Sequence, residues 1–363
     1  MNSWKQGGYG MNVNNIWQQI DSILNDMDFR ELWKGFKRYK FVLYDDERVY
    51  FGDRDIEVDN RFKGNTSIDY DGEKIAIWRI TEKDSDSIEI LTSNIVHEMF
   101  HAFQLDNEEN RFPNDIKGLD KPLEAEYYNI KKKEARLLIE AITSKDDEIK
   151  LSNLVEIISI RDKRSRLYKG ATEYEFKIET LEGTAEYVGT MALKTIDEKK
   201  YKERIGNYLQ IIADNNMIFN TRRYSYFYGT LLLILLDSMN IQLSQQIKDN
   251  PNTIMEELMS IIGERVEIER IPIDPAIEEN MIKCKEELFN RFNKFHATDR
   301  KNHFGKYSIT GYDPMNMYKL EKEILHEHFV SLYDHDRNKP IFIEGSVVTA
   351  YNEDESQIIN YIV

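Results

Sequence analysis

The sequence predicts an α+β fold, predominantly helical, with a small antiparallel or mixed sheet ahead of one long helix. Three observations carry this. Apolar residues recur at three- and four-residue spacing through most of the chain. The stretch between residues 40 and 80 switches to strand-forming residues broken by turn pairs. A helical pattern then follows over 88–106, with no proline before Pro113.

Length and charge bound the rest. The chain has 363 residues, 41% of them hydrophobic, enough for a large core and for two or three domains. Its net charge is -16, which argues against a nucleic-acid backbone as the main partner. Cys284 is the only cysteine, so no intrachain disulfide can form. This suits a reducing cytoplasm. The first residues lack an apolar signal-like run, and 231–236, the longest apolar run, is too short to span a bilayer. The expectation is a cytoplasmic protein without membrane insertion. Its oligomeric state is not legible.

In chain order, 1–15 carry Gly7, Gly8 and Gly10 among polar neighbours and predict a flexible terminus. Ile16, Ile20, Ile23, Leu24 and Met27 predict a helix within 16–38. Residues 40–51 predict two short strands around Asp45-Asp46, and 66–80 a hairpin around Asp71-Gly72, a favoured turn pair. Ala76 and Ile77 lie on its second strand, either in an ordinary packed strand or on an edge that binds a peptide by strand addition. Arg223, far downstream, is a further candidate substrate contact.

For the next helix, Asp86 and Glu89 have the spacing of a capping box. Ile88, Leu91, Ile95, Met99 and Phe103 supply its apolar face, with the two histidines mostly to the other side. That helix contains His97-Glu98-Met99-Phe100-His101. Residues four apart share a helix face, so both imidazoles can reach one zinc ion. Glu98 is then placed to take a proton from a water at that ion. A buried histidine pair without metal is the plain structural alternative.

A polar loop follows over 107–121, then helices near 123–142 and 148–168. The charges of the first predict a solvated face, and the pair predicts a helical insertion, near 122–170, that spaces or shapes the site. Residues 172–193 predict a helix carrying Glu179, Glu182 and Glu186. Gly183, Thr184 and Ala185 would let it approach another helix closely. Gly183 costs about 1 kcal/mol of helix stability against alanine, which points to a packing need. A carboxylate from this helix would complete a three-ligand site and leave a fourth position for water.

HEMFH followed by LEGTAEYV resembles the gluzincin zinc metallopeptidases, the thermolysin-like group. The resemblance implies a zincin-like core with Zn2+ as cofactor. Glu182, in Glu182-Gly183-Thr184-Ala185-Glu186-Tyr187, takes the place of the third ligand, and Glu186 that of the acid that hydrogen-bonds a zinc-bound histidine. Glu179 is the alternative ligand, and a solvated acidic face is the structural alternative for all three. The separation of His101 from Glu182 exceeds that of most gluzincins. The helices near 123–168 would fill it.

Residues 221–239 predict an apolar helix. Tyr226-Phe227-Tyr228-Gly229 looks like the Y-x-x-G start found after the third ligand in several gluzincin families. By that resemblance Tyr226 would stabilise the oxyanion. Tyr224 and Tyr228 are alternatives, and Arg222 or Arg223 would hold a substrate carboxylate.

Beyond residue 245, helices are predicted near 252–262 and 276–297. A loop-rich segment is predicted over 297–314, a helix over 315–332 and two strands within 341–363. The domain expectation is an N-terminal segment 1–38, a catalytic domain 39–245 and a C-terminal portion 246–363. Ile271-Pro272 and Asp274-Pro275 would mark a boundary. His326 and His328, two apart, do not share a helix face, so no second metal site is expected there.

The functional expectation is a zinc metallopeptidase acting on a peptide or protein. No anchor motif for a free terminus is recognisable, which favours an endopeptidase. A zinc-binding, non-catalytic scaffold that binds or regulates a peptide is the alternative from another class. Zinc-dependent hydrolysis of a different bond is a third.

Overall fold

The computed structural model describes residues 12–122 and 124–363. The expected flexible terminus lies outside them for residues 1–11. From Asn12 the chain is already ordered: its side chain accepts from Asn15 and caps α1 (Val13–Asn25). Helix does not continue to residue 38. Asp28 restarts it as the single turn α2 (Phe29–Leu32), and Trp33 is extended. The break lets Phe29, Leu32, Trp33 and Phe36 all enter one core.

Next come β1 (Lys40–Tyr44), β2 (Arg48–Tyr50), β3 (Asp55–Glu57), β4 (Thr66–Tyr70) and β5 (Glu73–Arg79). They form one sheet in the order β3-β2-β1-β5-β4. β1 and β5 pair in parallel and the other neighbours antiparallel. Asp71 and Gly72 both adopt positive φ, which the two-residue β4–β5 turn requires. The strand alternation sends Ala76 to one face of the sheet and Ile77 to the other, and both are buried.

A 3-10 turn over Glu82–Asp86, closed by a Thr81–Asp84 capping box, precedes α3 (Ile88–Asp106). The cap of α3 is Ser87, not Asp86; its hydroxyl accepts from Ile90. Glu89 instead pairs with Lys200. α3 lies on β5 and β4.

After α4 (Asp115–Gly118) come α5 (Ala125–Thr143), α6 (Asp147–Leu167), α7 (Lys169–Ile196), α8 (Glu198–Ala213), α9 (Thr221–Ser238) and α10 (Ile254–Ile261). They share a second core, built on residues such as Leu138, Ile157, Tyr224, Leu232 and Met255. Thus α5 and α6 are integral to the helical layer.

The solvated face expected of 123–142 is present at Glu126, Arg136 and Glu140 but does not run throughout. Lys131, Glu134, Arg161, Arg164, Glu175 and Glu179 are all buried. Lys131 lies 2.7 Å from Glu175, and Arg164 lies 2.7 Å from Glu134 and 2.6 Å from Glu175. Three cations meet three carboxylates, which offsets the desolvation that would expel any one of them.

Asp274 caps α11 (Pro275–His296), with Pro275 in its first turn. Ile277 enters the helical core, while Phe292 and Phe295 pack under a second sheet. That sheet overturns the expected loop at 297–314 and helix at 315–332. It contains β6 (Asn302–Tyr312), β7 (Met317–Leu320), β8 (Glu323–His326), β9 (Phe329–Asp334), β10 (Lys339–Glu344), β11 (Val347–Tyr351) and β12 (Ile358–Ile362). Three strands, not two, fill the last stretch. Glu321 at positive φ turns the chain between β7 and β8. In β9, Val330, Leu332 and Asp334 are buried while their neighbours are half-buried, the period of a strand. The sheet order is β10-β9-β6-β12-β11-β8-β7. Among the described residues no helix is long and apolar enough to cross a membrane.

Candidate metal centre

Two close helix crossings build the site. A Cβ on Gly189 of α7 would sit 2.7 Å from the Ser93 carbonyl oxygen and 3.2 Å from His97 Cβ. A Cβ on Gly183 would sit 3.0 Å from Gly229 Cα of α9. Missing side chains at these points let α7 lie against α3 on one side and α9 on the other. The packing role expected of Gly183 is therefore present, and Gly189 supplies a second crossing that the sequence reading overlooked.

Across the first crossing the ligand candidates converge. His97 Nε2 and His101 Nε2 are 3.0 Å apart. Glu182 Oε2 lies 3.1 Å from His101 Nε2 and 3.9 Å from His97 Nε2. Ligand atoms around a tetrahedral zinc at ~2.1 Å stand roughly 3.4 Å from one another. The three atoms bracket that spacing, so the donor set fits the ion. Glu98 also places a carboxylate oxygen within 4.8 Å of both imidazoles. It is adjacent to His97 on α3, whereas Glu182 closes the triangle from the opposite helix.

The other polar atom of each candidate ligand faces an outer residue, away from the centre. Gln104 Nε2 donates to the Leu181 carbonyl (2.8 Å) and to Thr184 Oγ1 (3.1 Å). That orients its amide, so Gln104 Oε1 faces His101 Nδ1 at 2.7 Å and accepts its proton. His101 Nε2 is then directed inward, towards His97 Nε2 and Glu182 Oε2. Glu186 Oε2 lies 2.9 Å from His97 Nδ1, off the line of the ring N–H. Tyr208 donates to the other Glu186 oxygen. Arg222 Nη2 donates to Glu182 Oε1 at 2.6 Å.

Electrostatics agree with a cation at this point. Burial alone would lower His101, but the Glu182 carboxylate outweighs it and holds the imidazole up at about 9. The pocket thus favours positive charge between His101 and Glu182. Burial pushes the Glu98 carboxyl above the usual carboxylate range, with the two imidazoles opposing. A carboxylate so raised is a better proton acceptor.

Tyr226 is brought to the centre. Its ring stacks on His97 with centroids 6.3 Å apart and 11° between planes. Burial and then the Glu182 charge raise its phenol well above the usual range, so it keeps its proton. Tyr224 and Tyr228 instead belong to the helical core.

Of the two candidate arginines, Arg222 enters the site and Arg223 is exposed. Two expectations are corrected. Ala76 and Ile77 lie on β5, which is hydrogen-bonded on both sides and offers no edge to a peptide. The edge strand beside α3 is β4. Its Thr66 and Ser67 line a cavity of about 170 Å³ with His101, Gln104, Leu105, Phe112, Leu181 and Glu182. Glu179, the alternative ligand, faces the buried charge cluster, 2.8 Å from Arg161.

Gln104, Asp115 and Arg204 escaped the sequence reading. Gln104 stands three residues after His101 and so shares its face, a readable signal. Asp115 pairs with Arg222, and Arg204 Nη1 approaches Glu186 to 3.8 Å. Nothing local announces either. Family models, curated proteins and solved structures were compared with the chain, and none matches.

Proposed function

We propose that the chain is a zinc-dependent peptidase of gluzincin type, with a zincin-like core made by the first sheet, α3 and α7. The observation that carries this is the convergence of His97 Nε2, His101 Nε2 and Glu182 Oε2, each on a side chain whose other polar atom faces an outer residue. A zinc ion held there would lower the pKa of a water and polarise the scissile carbonyl. Glu98 accepts the proton of the attacking water and returns it to the departing amine nitrogen. Tyr226, protonated and beside Glu182, donates to the charge developing on the carbonyl oxygen.

The substrate is an extended peptide segment. The free edge of β4 offers backbone groups to pair with it. The cavity bounded by Leu105, Phe112 and Leu181 receives one apolar side chain. No cluster anchoring a chain terminus is recognisable in the sequence, which favours internal cleavage.

Glu98→Gln tests the reading, because it keeps the shape and removes the base. The expected result is retained zinc with hydrolysis of a peptide library lost by at least about a hundredfold, the lower range for a general base. Undiminished hydrolysis in that variant would overturn the mechanism. Zinc without any turnover in the wild type would favour a peptide-binding scaffold.

A further inference from the structure

Behind Glu182 a chain of polar side chains runs out to the second sheet. Arg222 Nη2 donates to Glu182 Oε1 at 2.6 Å, and Arg222 Nη1 pairs with Asp115 Oδ1. Tyr174 donates to the same Asp115 oxygen at 2.9 Å. Tyr312, at the end of β6, donates to Asp115 Oδ2 at 3.4 Å. The Glu182, Arg222 and Asp115 side chains are only 8%, 11% and 12% exposed. We propose that Asp115 and Tyr312 are positioning residues for the metal ligand Glu182, acting through Arg222, so that the C-terminal sheet bears on how tightly the ion is held through the Tyr312 contact alone. The inference rests on the metal-site reading above.

The charge order explains the need for Asp115. A guanidinium on Glu182 fixes the carboxylate but also draws its charge away from a cation on the other side. In a poorly hydrated setting that competition is strong. Asp115 supplies the opposite charge to the far side of the guanidinium. Arg222 can then orient Glu182 while its own positive charge is balanced locally. With Asp115 neutral, the arginine would be an unbalanced cation one carboxylate away from the ion.

Tyr312 ties this relay to the second sheet. The apolar clusters of that sheet contain α11 residues but none from the first sheet or α3. Polar and cation–π contacts join it to the parts around the site. Lys319 pairs with Asp120 at 2.7 Å, and Lys63 Nζ stands 3.9 Å from the Phe342 ring centroid. Asp115 and Arg222 also line an open crevice of about 380 Å³ between α4, α9, α11 and β7, with Tyr174, Met315 and Tyr318 in its walls.

The experiment uses the full chain: wild type, Asp115→Asn, Tyr312→Phe and Lys63→Ala. Zinc affinity is read by chelator competition, and ligand geometry by the visible spectrum of the cobalt(II)-loaded protein. Asp115→Asn is expected to weaken zinc by about 10–100-fold, the range for lost outer contacts to a ligand, and to shift the cobalt bands. Tyr312→Phe should do the same to a smaller degree, and Lys63→Ala should leave both readouts unchanged. Zinc affinity and spectrum unaltered in both Asp115→Asn and Tyr312→Phe would overturn the relay, even if their melting temperatures fall. An equal loss in Lys63→Ala would overturn it in favour of a general effect of sheet docking. If wild type binds zinc and the variants match it, this inference alone fails; if wild type binds none, the metal-site reading fails with it.

Discussion

The same side chain takes opposite roles in two buried places. His101 faces Glu182 and is held up at about 9 despite its burial. His326 in β8 is fully buried, has only the Thr349 hydroxyl at 3.2 Å as partner, and is pushed down to about 4 by desolvation. A carboxylate partner thus favours the charged form of one imidazole, while its absence keeps the other neutral. For His326 this implies a pH dependence. The unfolded chain takes the proton near 6.5, whereas the folded chain resists it until about 4. Between those values the unfolded state binds more protons, so stability is fully present above 6.5 and falls as the pH drops through the window. The loss amounts to roughly 3 kcal/mol at most. Denaturant unfolding at stepped pH should show this loss in wild type and a flatter profile in His326→Gln. Equal acid sensitivity in both would contradict the assignment.

At the scale of elements, glycine spacing decides whether the ligands meet. The α3–α7 crossing at Gly189 and the α7–α9 crossing at Gly183 and Gly229 put Glu182 between the histidines and Arg222. Gly189→Ala would place a methyl 2.7 Å from the Ser93 carbonyl oxygen, and backbone cannot yield as a flexible side chain does. The expected cost is about 1–3 kcal/mol, typical of overpacking, together with weaker zinc binding as Glu182 and Glu186 withdraw from α3. Chemical denaturation and zinc titration of the same variant check both effects; unchanged zinc affinity would show that the crossing does not set the ligand spacing. The elements around this crossing were legible. The α3 and α7 periodicity, the Asp71-Gly72 turn and the helix at Tyr226 all follow from local rules. The second sheet was not, because Leu320, Ile324 and Leu325 also fit a helical period over so short a run. Only the strand pairing of β7 with β8 and of β8 with β11 settles them.

For the whole molecule, what escaped the sequence is what depends on distant partners. Lys131 and Glu134 read as part of a wet helix face, because a charged residue is normally exposed and their buried partners come from other helices. Asp115 and Arg222 are far apart in the chain and meet only when α4 docks against α9. By contrast, His97, Glu98 and His101 announce themselves through spacing alone. Helix α3, packed on the first sheet, carries the two candidate histidines, the helical layer carries Glu182 and Tyr226, and the second sheet reaches the outer support through Tyr312. The account therefore stands on one centre assembled by separate parts of the fold. Elemental analysis of the purified full chain, beside Glu182→Ala and Glu179→Gln, measures it most directly. The account predicts about one zinc per chain in wild type, as a single three-ligand site requires. It predicts loss of that zinc in Glu182→Ala and retention in Glu179→Gln. A zinc-loaded wild type that never holds the ion, or a Glu182→Ala variant that keeps it as tightly, would contradict the account.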